Sequence, residues 1–207
     1  MLLFIKNKKI GTKSFPPPVF SSFDVVQQEY FKNKNTSDLT EMLPSGRIMS
    51  KDEIPGRVVS NKLLDNKGRE FMLGGRPDIV IEFDDMTYGI IDFKTTTLKS
   101  NKSEDYRHQL EAYKQIFSKP GSTKTAPTPN LSPITQMGVL QFYPKDIFDH
   151  SKDSCQLNFT MQYSKLEPDE QSFLERVTYV LDILTSDTVP AFNDECVDCQ
   201  FVVKQSQ

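Results

Sequence analysis

The sequence predicts an α/β domain, because patterns typical of strands and of amphipathic helices alternate along the chain. The strand patterns lie at 78–83, 88–94, 135–143 and 154–163. The helical patterns, with apolar residues every three or four positions, lie at 104–118 and 168–186. Chains with this alternation form a sheet covered by helices. We therefore expect a central mixed sheet flanked by helices.

The remaining segments have weaker patterns. A helix is predicted over 23–32, polar residues at 33–56 predict a loop, and 57–73 alternates enough for one strand. Residues 119–133 are rich in Pro, Ser and Thr and predict a further loop. The predicted units are an N-terminal segment at 1–56, a core at 57–188 and a Cys-x-x-Cys tail at 189–207.

Length and charge restrict the classes of function. The 207 residues suit one domain, and 25 basic against 28 acidic residues give a net charge of −3. A protein that coats DNA non-specifically would be strongly basic. Any nucleic-acid contact must therefore use a local basic patch or bound cations.

Nothing in the sequence indicates export or a membrane. Residues 1–5 are apolar, but three lysines follow within four positions, so the run is too short for a signal peptide or a membrane span. The three cysteines, Cys155, Cys196 and Cys199, are an odd number with no disulfide framework. We therefore expect an intracellular, cytoplasmic protein.

The two strands around residues 78 and 92 have a definite expected register. If their turn is centred on Asp85, opposing residues have numbers that add up to 170, and Asp78 lies across from Asp92. Because side chains alternate between the faces of a sheet, Lys94 lies on the face of both aspartates. The opposite face receives an apolar set: Ile79, Ile81, Phe83, Ile91 and Phe93.

Asp78, Asp92 and Lys94 together suggest metal-assisted chemistry. Two carboxylates opposed across a sheet repel each other, and a divalent cation such as Mg²⁺ or Mn²⁺ removes that repulsion with ligands it prefers. Such an ion lowers the pKa of a bound water, and Lys94 could orient that water or stabilise developing charge. The alternative is a surface salt bridge, which the apolar opposite face and the matched register make the weaker interpretation.

These residues resemble the motifs of the PD-(D/E)XK nuclease superfamily, and within it the RecB-like branch. The matching elements are Gly75-Arg76-Pro77-Asp78, Asp92-Phe93-Lys94-Thr95, and Gln109 with Tyr113 in a Gln-x-x-x-Tyr pattern. The resemblance implies a restriction-endonuclease-like fold. It also implies Mg²⁺- or Mn²⁺-dependent hydrolysis of DNA, with exonuclease-like or end-processing work favoured. RNA as the substrate stays open.

The resemblance also assigns provisional roles. Asp78 and Asp92 would hold the metal, Lys94 would position the water, and Gln109 with Tyr113 would support the substrate or the lysine. Glu29, on the first helix, is a candidate third metal ligand or an exposed glutamate. The candidates for nucleic-acid contact are Arg76, Lys99 and Arg107. Arg76 could equally pair with a nearby acid, and for Lys99 and Arg107 a solvated face is the commoner explanation.

The end of the chain resembles RecB-like nucleases that close an iron–sulfur cluster with one N-terminal and three C-terminal cysteines. This chain has no cysteine before Cys155 and only Cys196 and Cys199 near its end. Because such a cluster needs four ligands, the sequence argues against one in this chain. The main alternative function is a nucleic-acid-binding module that keeps the nuclease fold with little or no catalysis.

Overall fold

The structure is a computed structural model that describes residues 18–50, 52–96, 103–188 and 191. The helices of this part are α1 (Pro18–Phe31), α2 (Arg107–Ser118) and α3 (Glu170–Thr185). Its strands are β1 (Gly46–Ile48), β2 (Val58–Val59), β3 (Leu63–Leu64), β4 (Glu70–Phe71), β5 (Gly74–Gly75), β6 (Ile79–Phe83), β7 (Tyr88–Thr95), β8 (Ile134–His150) and β9 (Cys155–Lys165). Among the described helices, none is both long and apolar enough to cross a bilayer.

The main sheet has the strand order β1-β6-β7-β8-β9 within the described chain. The strand pairs are antiparallel except β7 and β8, which run parallel and are joined through α2. The predicted fold class, an α/β domain with a central mixed sheet flanked by helices, is therefore confirmed.

The sheet is buried on both faces. One face packs against α2 and buries Val80, Ile90 and Val139 with Leu110 and Phe117 of the helix. The other face carries the apolar set predicted from the alternation of the hairpin, covered in part by a phenylalanine of α1. The members of the predicted set are Ile79, Ile81, Phe83, Ile91 and Phe93, and the phenylalanine of α1 is Phe31. Because a shift of one residue would exchange the side chains of the two faces, and each face packs in its own core, the strands have one stable register.

The β6–β7 hairpin has the predicted register. Its partners are Ile79 with Ile91, Val80 with Ile90, Ile81 with Gly89 and Glu82 with Tyr88, and each pair adds up to 170. The turn closes with a 2.9 Å hydrogen bond from the Phe83 amide to the Thr87 carbonyl. Asp78 directly precedes β6, so one further step of the register brings it opposite Asp92.

Other elements differ from the sequence-based expectation. β1 lies in the predicted loop at 33–56, where three residues are too few to show alternation, yet Ile48 is fully buried and pairs with Ile81. The segment 57–73 forms parts of two small antiparallel ladders, β2–β5 and β3–β4, rather than one strand. β8 continues past its predicted end at residue 143 to His150, and residues 144–150 are exposed. β9 lies within two residues of its predicted limits and pairs with this extension.

The described residues on both sides of the predicted boundary at residue 56 share one core. Phe31 of α1 packs edge-to-face on Phe93 with ring centroids 5.7 Å apart. β1 is an edge strand of the main sheet through its ladder with β6. The packing therefore ties α1 to the same sheet that carries Asp92.

Helix α2 is held in place from its buried side by Glu111. This side chain is fully buried and forms a 2.9 Å ion pair with Lys114. Its second oxygen accepts a 3.2 Å hydrogen bond from the Asp169 amide, just before α3. A buried carboxylate needs such partners, and here they fix α2 against the start of α3.

Candidate active site

The two aspartates of the hairpin lie together at the end of β6 and β7 that is remote from the turn. Asp92 is buried, with 3% of its surface exposed, and Asp78 is half-buried. The Asp78 Oδ2 atom accepts a 2.8 Å hydrogen bond from the backbone amide of Phe93, the neighbour of Asp92. This bond ties the residue before β6 to β7.

Lys94 completes this group on the same face of β7. Its Nζ lies 2.6 Å from Asp92 Oδ2 as an ion pair. The ammonium also lies 4.7 Å from the centre of the Tyr106 ring, within the range of a cation–π contact. Tyr106 ends the 3₁₀ turn before α2 and packs on the buried cluster under that helix. Lys94 is thus held between a carboxylate and an aromatic ring.

The electrostatics of the site reflect crowding of the carboxylates. Burial, followed by the neighbouring Asp92 carboxylate, raises the pKa of Asp78 to about 7. Burial also raises the pKa of Asp92 above its ordinary value, although Lys94 opposes that shift. Burial alone would lower the pKa of Lys94, but Asp92 outweighs it and the pKa lies above the usual value. The group therefore has one cation for two acids, one of them buried and the other half-buried.

Gln109 and Tyr113 reach the site from α2, one turn apart. The Gln109 amide donates a 2.7 Å hydrogen bond to Asp92 Oδ1. The Tyr113 hydroxyl donates a 2.8 Å hydrogen bond to the Arg76 carbonyl. Residues at i and i+4 share a helix face, and this one faces the strand that carries Asp92. Burial raises the pKa of Tyr113, so the phenol stays protonated as a donor.

Gly75 is a position where the chain requires glycine for a close approach. A Cβ atom at Gly75 would lie 2.6 Å from the Tyr113 ring, whereas one at Gly74 would meet its neighbours at 3.5 Å or more. The Tyr113 ring therefore packs directly on the backbone of residue 75. This contact and the hydrogen bond to Arg76 fix the segment that leads into Asp78.

Helix α1 supplies Gln28 to the site rather than Glu29. The Gln28 amide donates a 3.0 Å hydrogen bond to Asp78 Oδ1. Glu29 is exposed and lies 3.5 Å from Lys32 in an ion pair, so the structure does not bring it to the aspartates. Asp24, one turn before Gln28, is the acidic residue of α1 whose charge contributes to the raised pKa of Asp78.

The candidates for nucleic-acid contact differ in their surroundings. Arg76 is exposed, and no hydrogen bond or ion pair involves its side chain among the described residues. Arg107 pairs with Glu104 and donates a 2.8 Å hydrogen bond to the Glu167 carbonyl. Lys99 lies outside the described residues. The structure thus leaves Arg76 available and Arg107 engaged in holding the start of α2.

Comparison with known proteins agrees with this geometry. The sequence profile of the PD-(D/E)XK nuclease superfamily matches residues 21–203. The chain belongs to the PD-(D/E)XK nuclease superfamily. Membership implies a nuclease, and with it a nucleic-acid substrate.

Among curated proteins, no significant match to this sequence is found. A solved structure titled "Crystal structure of SSO0001" is similar at 16% identity and a TM-score of 0.46, over 89% of this chain and 68% of that one.

PD-(D/E)XK nucleases generally use divalent metals, and the residues present fit such an ion in part. Asp78 and Asp92 offer hard carboxylate oxygens, and buried Asp92 Oδ2 has no aligned hydrogen-bond donor in the described chain. No cluster of three acidic, His or Cys ligands occurs among the described residues. Mg²⁺ is often held by one or two carboxylates together with waters, so Asp78 and Asp92 could bind one through few protein ligands. Cys155 is exposed, and Cys196 and Cys199 lie outside the described residues.

Sequence reasoning missed Gln28 and Tyr106. Gln28 carries no motif, and only the packing of Phe31 decides which face of α1 turns towards Asp78. The sequence could have indicated Tyr106 as a neighbour of the site, because it precedes Gln109 by three positions and begins the helical pattern. That pattern predicts only its place on the apolar face of the helix, whereas its ring also covers the Lys94 ammonium.

Proposed function

We propose that the chain is a metal-dependent nuclease that hydrolyses DNA phosphodiester bonds with Mg²⁺ or Mn²⁺. The observation that carries this proposal is the buried group at the open end of the hairpin. There Lys94 lies 2.6 Å and Gln109 2.7 Å from the two oxygens of Asp92, and Asp78 adjoins them. A buried acid pair with raised pKa values is a feature of functional sites.

Asp78 and Asp92 would hold the metal ion, which when bound neutralises phosphate charge and lowers the pKa of water. The chain's own groups have separate tasks. Lys94 stays an ammonium at neutral pH because its pKa is raised, and it can donate a hydrogen bond to an oxygen that gains charge during cleavage. Gln109 fixes the orientation of Asp92. Tyr113 fixes the backbone before Asp78.

Two features support placing the chain in the RecB-like branch. Gln109 and Tyr113 match that branch's Gln-x-x-x-Tyr spacing, and both side chains point towards the aspartates or the segment before Asp78. On the same resemblance we propose exonuclease-like or end-processing activity. Glu29 is not part of this proposal. The acidic residue of α1 whose charge raises the pKa of Asp78 is Asp24.

A second candidate function is a nucleic-acid-binding module without effective cleavage. It is favoured by one observation, the lack of a third acidic ligand beside Asp78 and Asp92 in the described chain. A weakly held ion would leave binding intact while reducing turnover.

The deciding experiment compares cleavage by the wild type and the Asp92→Ala variant. Linear single- and double-stranded DNA, circular DNA and RNA are each offered with Mg²⁺, Mn²⁺ or EDTA. We expect the wild type to cut linear DNA only with a metal ion, and Asp92→Ala to lose about a thousandfold in rate. Asp149→Ala, on the exposed part of β8, is the matched control and should keep full activity.

The two candidate functions give different results in that comparison. If the wild type and Asp92→Ala were equally inert while both bound DNA, the binding module would be correct. Cleavage of circular DNA as fast as linear DNA would exclude the exonuclease-like activity but leave the nuclease.

A further inference from the structure

Two arginines next to the candidate active site have no partner for their charge among the described residues. All six arginines of the chain are described, and three of them form ion pairs: Arg47, Arg69 and Arg107. Arg176 lies over the Tyr179 ring at 5.7 Å. Arg57 and Arg76 are both exposed and take part in neither kind of contact.

The β2–β5 ladder brings these two residues together. Val58 pairs with Gly75 and Val59 with Gly74, so Arg57 and Arg76 flank the same end of the ladder. The Nη2 atom of Arg57 lies 3.6 Å from where a Cβ at Gly74 would be, on the side that Gly74 shares with Arg76. Glycine at this position leaves the guanidinium lying over bare backbone.

Like charges held close together at the end of a ladder repel each other unless something compensates. Nothing in the described part of the chain does so for Arg57 and Arg76. The opposite face of the same ladder is well packed, since Val58 is fully buried and Gly75 contacts Tyr113. The packed ladder therefore fixes the backbone next to both exposed arginines.

The backbone of Arg76 also has a fixed position close to Asp78. The Tyr113 hydroxyl holds the Arg76 carbonyl at 2.8 Å, and Asp78 follows only two residues later. Two residues span at most about 7 Å between Cα atoms. Successive nucleotides of a strand rise by about 3.4 Å along duplex DNA. A substrate whose phosphodiester reaches Asp78 thus has neighbouring phosphates within range of Arg76.

We propose that Arg57 and Arg76 form a binding site for one backbone phosphate of the nucleic-acid substrate, next to the bond that is cut. The inference rests on the proposed function and adds a substrate-binding site outside the acidic group. Guanidinium groups donate paired hydrogen bonds to phosphate oxygens. A phosphate there also removes the repulsion between the two arginines.

The test measures binding of a fluorescein-labelled single-stranded DNA 20-mer by anisotropy in EDTA, over a series of NaCl concentrations. The proteins are the full chain as wild type, Arg57→Gln, Arg76→Gln and the double variant. Each neutralised phosphate contributes about 0.7 to the slope of log K against log salt for a single strand. We expect the double variant to lose about 0.7 of slope and about tenfold in affinity at low salt.

Arg176→Gln is the matched control, since Arg176 is also exposed and lies on α3. It should leave both slope and affinity unchanged. Because both candidate arginines are exposed, the thermal midpoints of all variants should agree with that of the wild type. A loss of affinity together with a lowered midpoint would mean that the residues act on folding, and would overturn the inference.

The outcomes separate this inference from the proposed function. A wild type that cuts DNA, with a double variant of unchanged slope, would overturn the phosphate site and leave the nuclease. A wild type that binds with the expected slope difference but never cuts would refute the proposed nuclease and retain the phosphate site. A wild type that neither binds nor cuts would refute both.

Discussion

Gln109 donates a 2.7 Å hydrogen bond to the Oδ1 atom of Asp92, whose Oδ2 atom faces Lys94 at 2.6 Å. Helix α2 thus sets the direction of the buried carboxylate that the chemistry requires. The helix is itself fixed by Glu111, so the orientation of Asp92 depends on packing remote from the substrate.

Replacing Gln109 by Leu should lower kcat by about tenfold to a hundredfold, because Asp92 Oδ1 loses its donor and the carboxylate can rotate. The lost donor also leaves a buried acceptor unsatisfied, which costs about 1–3 kcal/mol of stability. Steady-state cleavage and urea unfolding measure the two effects. Gln171→Leu, where an exposed glutamine contacts Glu175, is the control. Full activity in Gln109→Leu would contradict the role given to Gln109.

The metal-free protein should lose stability as the pH rises from about 4 to about 7. The folded-state pKa of Asp78 is about 7 against an ordinary value of 3.8, so the folded state binds more protons than the unfolded state in this window. The loss should be on the order of 3 kcal/mol. Urea unfolding in EDTA at several pH values measures it.

Asp78→Asn should flatten that pH dependence and make the metal-free protein more stable at pH 7 than the wild type. Added Mn²⁺ should stabilise the wild type at pH 7 and leave Asp78→Asn nearly unaffected, because ligand binding to the folded state alone adds to stability. An equal pH slope in the two proteins would show that Asp78 does not titrate in this way.

Gly75→Ala should be far more damaging than Gly74→Ala. A Cβ at residue 75 would lie 2.6 Å from the Tyr113 ring, whereas at residue 74 the nearest atom is at 3.5 Å. Forcing the ring aside should cost about 1–3 kcal/mol of stability and displace the backbone that leads into Asp78. Thermal unfolding and cleavage rates of the two variants provide the comparison. Equal behaviour of the two would mean that Tyr113 moves freely.

Tyr106→Leu should lower kcat by about five- to tenfold with little change in KM, because the ring holds the Lys94 ammonium in place. Tyr106→Phe keeps the ring and should retain most of the activity. Tyr88→Leu removes a second half-buried tyrosine that packs on the same cluster, at the far end of β7, and controls for loss of packing. A Phe variant as slow as the Leu variant would indicate a role for the hydroxyl instead.

The register of the hairpin could be predicted to the residue from its sequence. Its alternation is strict, and both faces are buried, so only one register places Ile79, Ile91 and Phe93 together in a core. Gln109 and Tyr113 followed from the motif resemblance, since their spacing on a helix is fixed by local geometry.

The contribution of α1 could not be predicted in the same way. Gln28 and Glu29 are adjacent, and successive residues of a helix point about 100° apart. Only the long-range contact of Phe31 with Phe93 decides that Gln28 faces Asp78. β1 was missed for a related reason, because three residues have too little pattern and its place depends on pairing with β6.

The hairpin has its carboxylates at one end and its turn, between Phe83 and Thr87, at the other. This separation affects which insertions and deletions the chain can accept. An added loop beyond Phe83 leaves every pair of the ladder in place. A single deletion inside β6 shifts all upstream residues by one and exchanges the two faces of the strand, so Asp78 would turn into the apolar core. Length variation in this hairpin is therefore compatible with the site only at the turn.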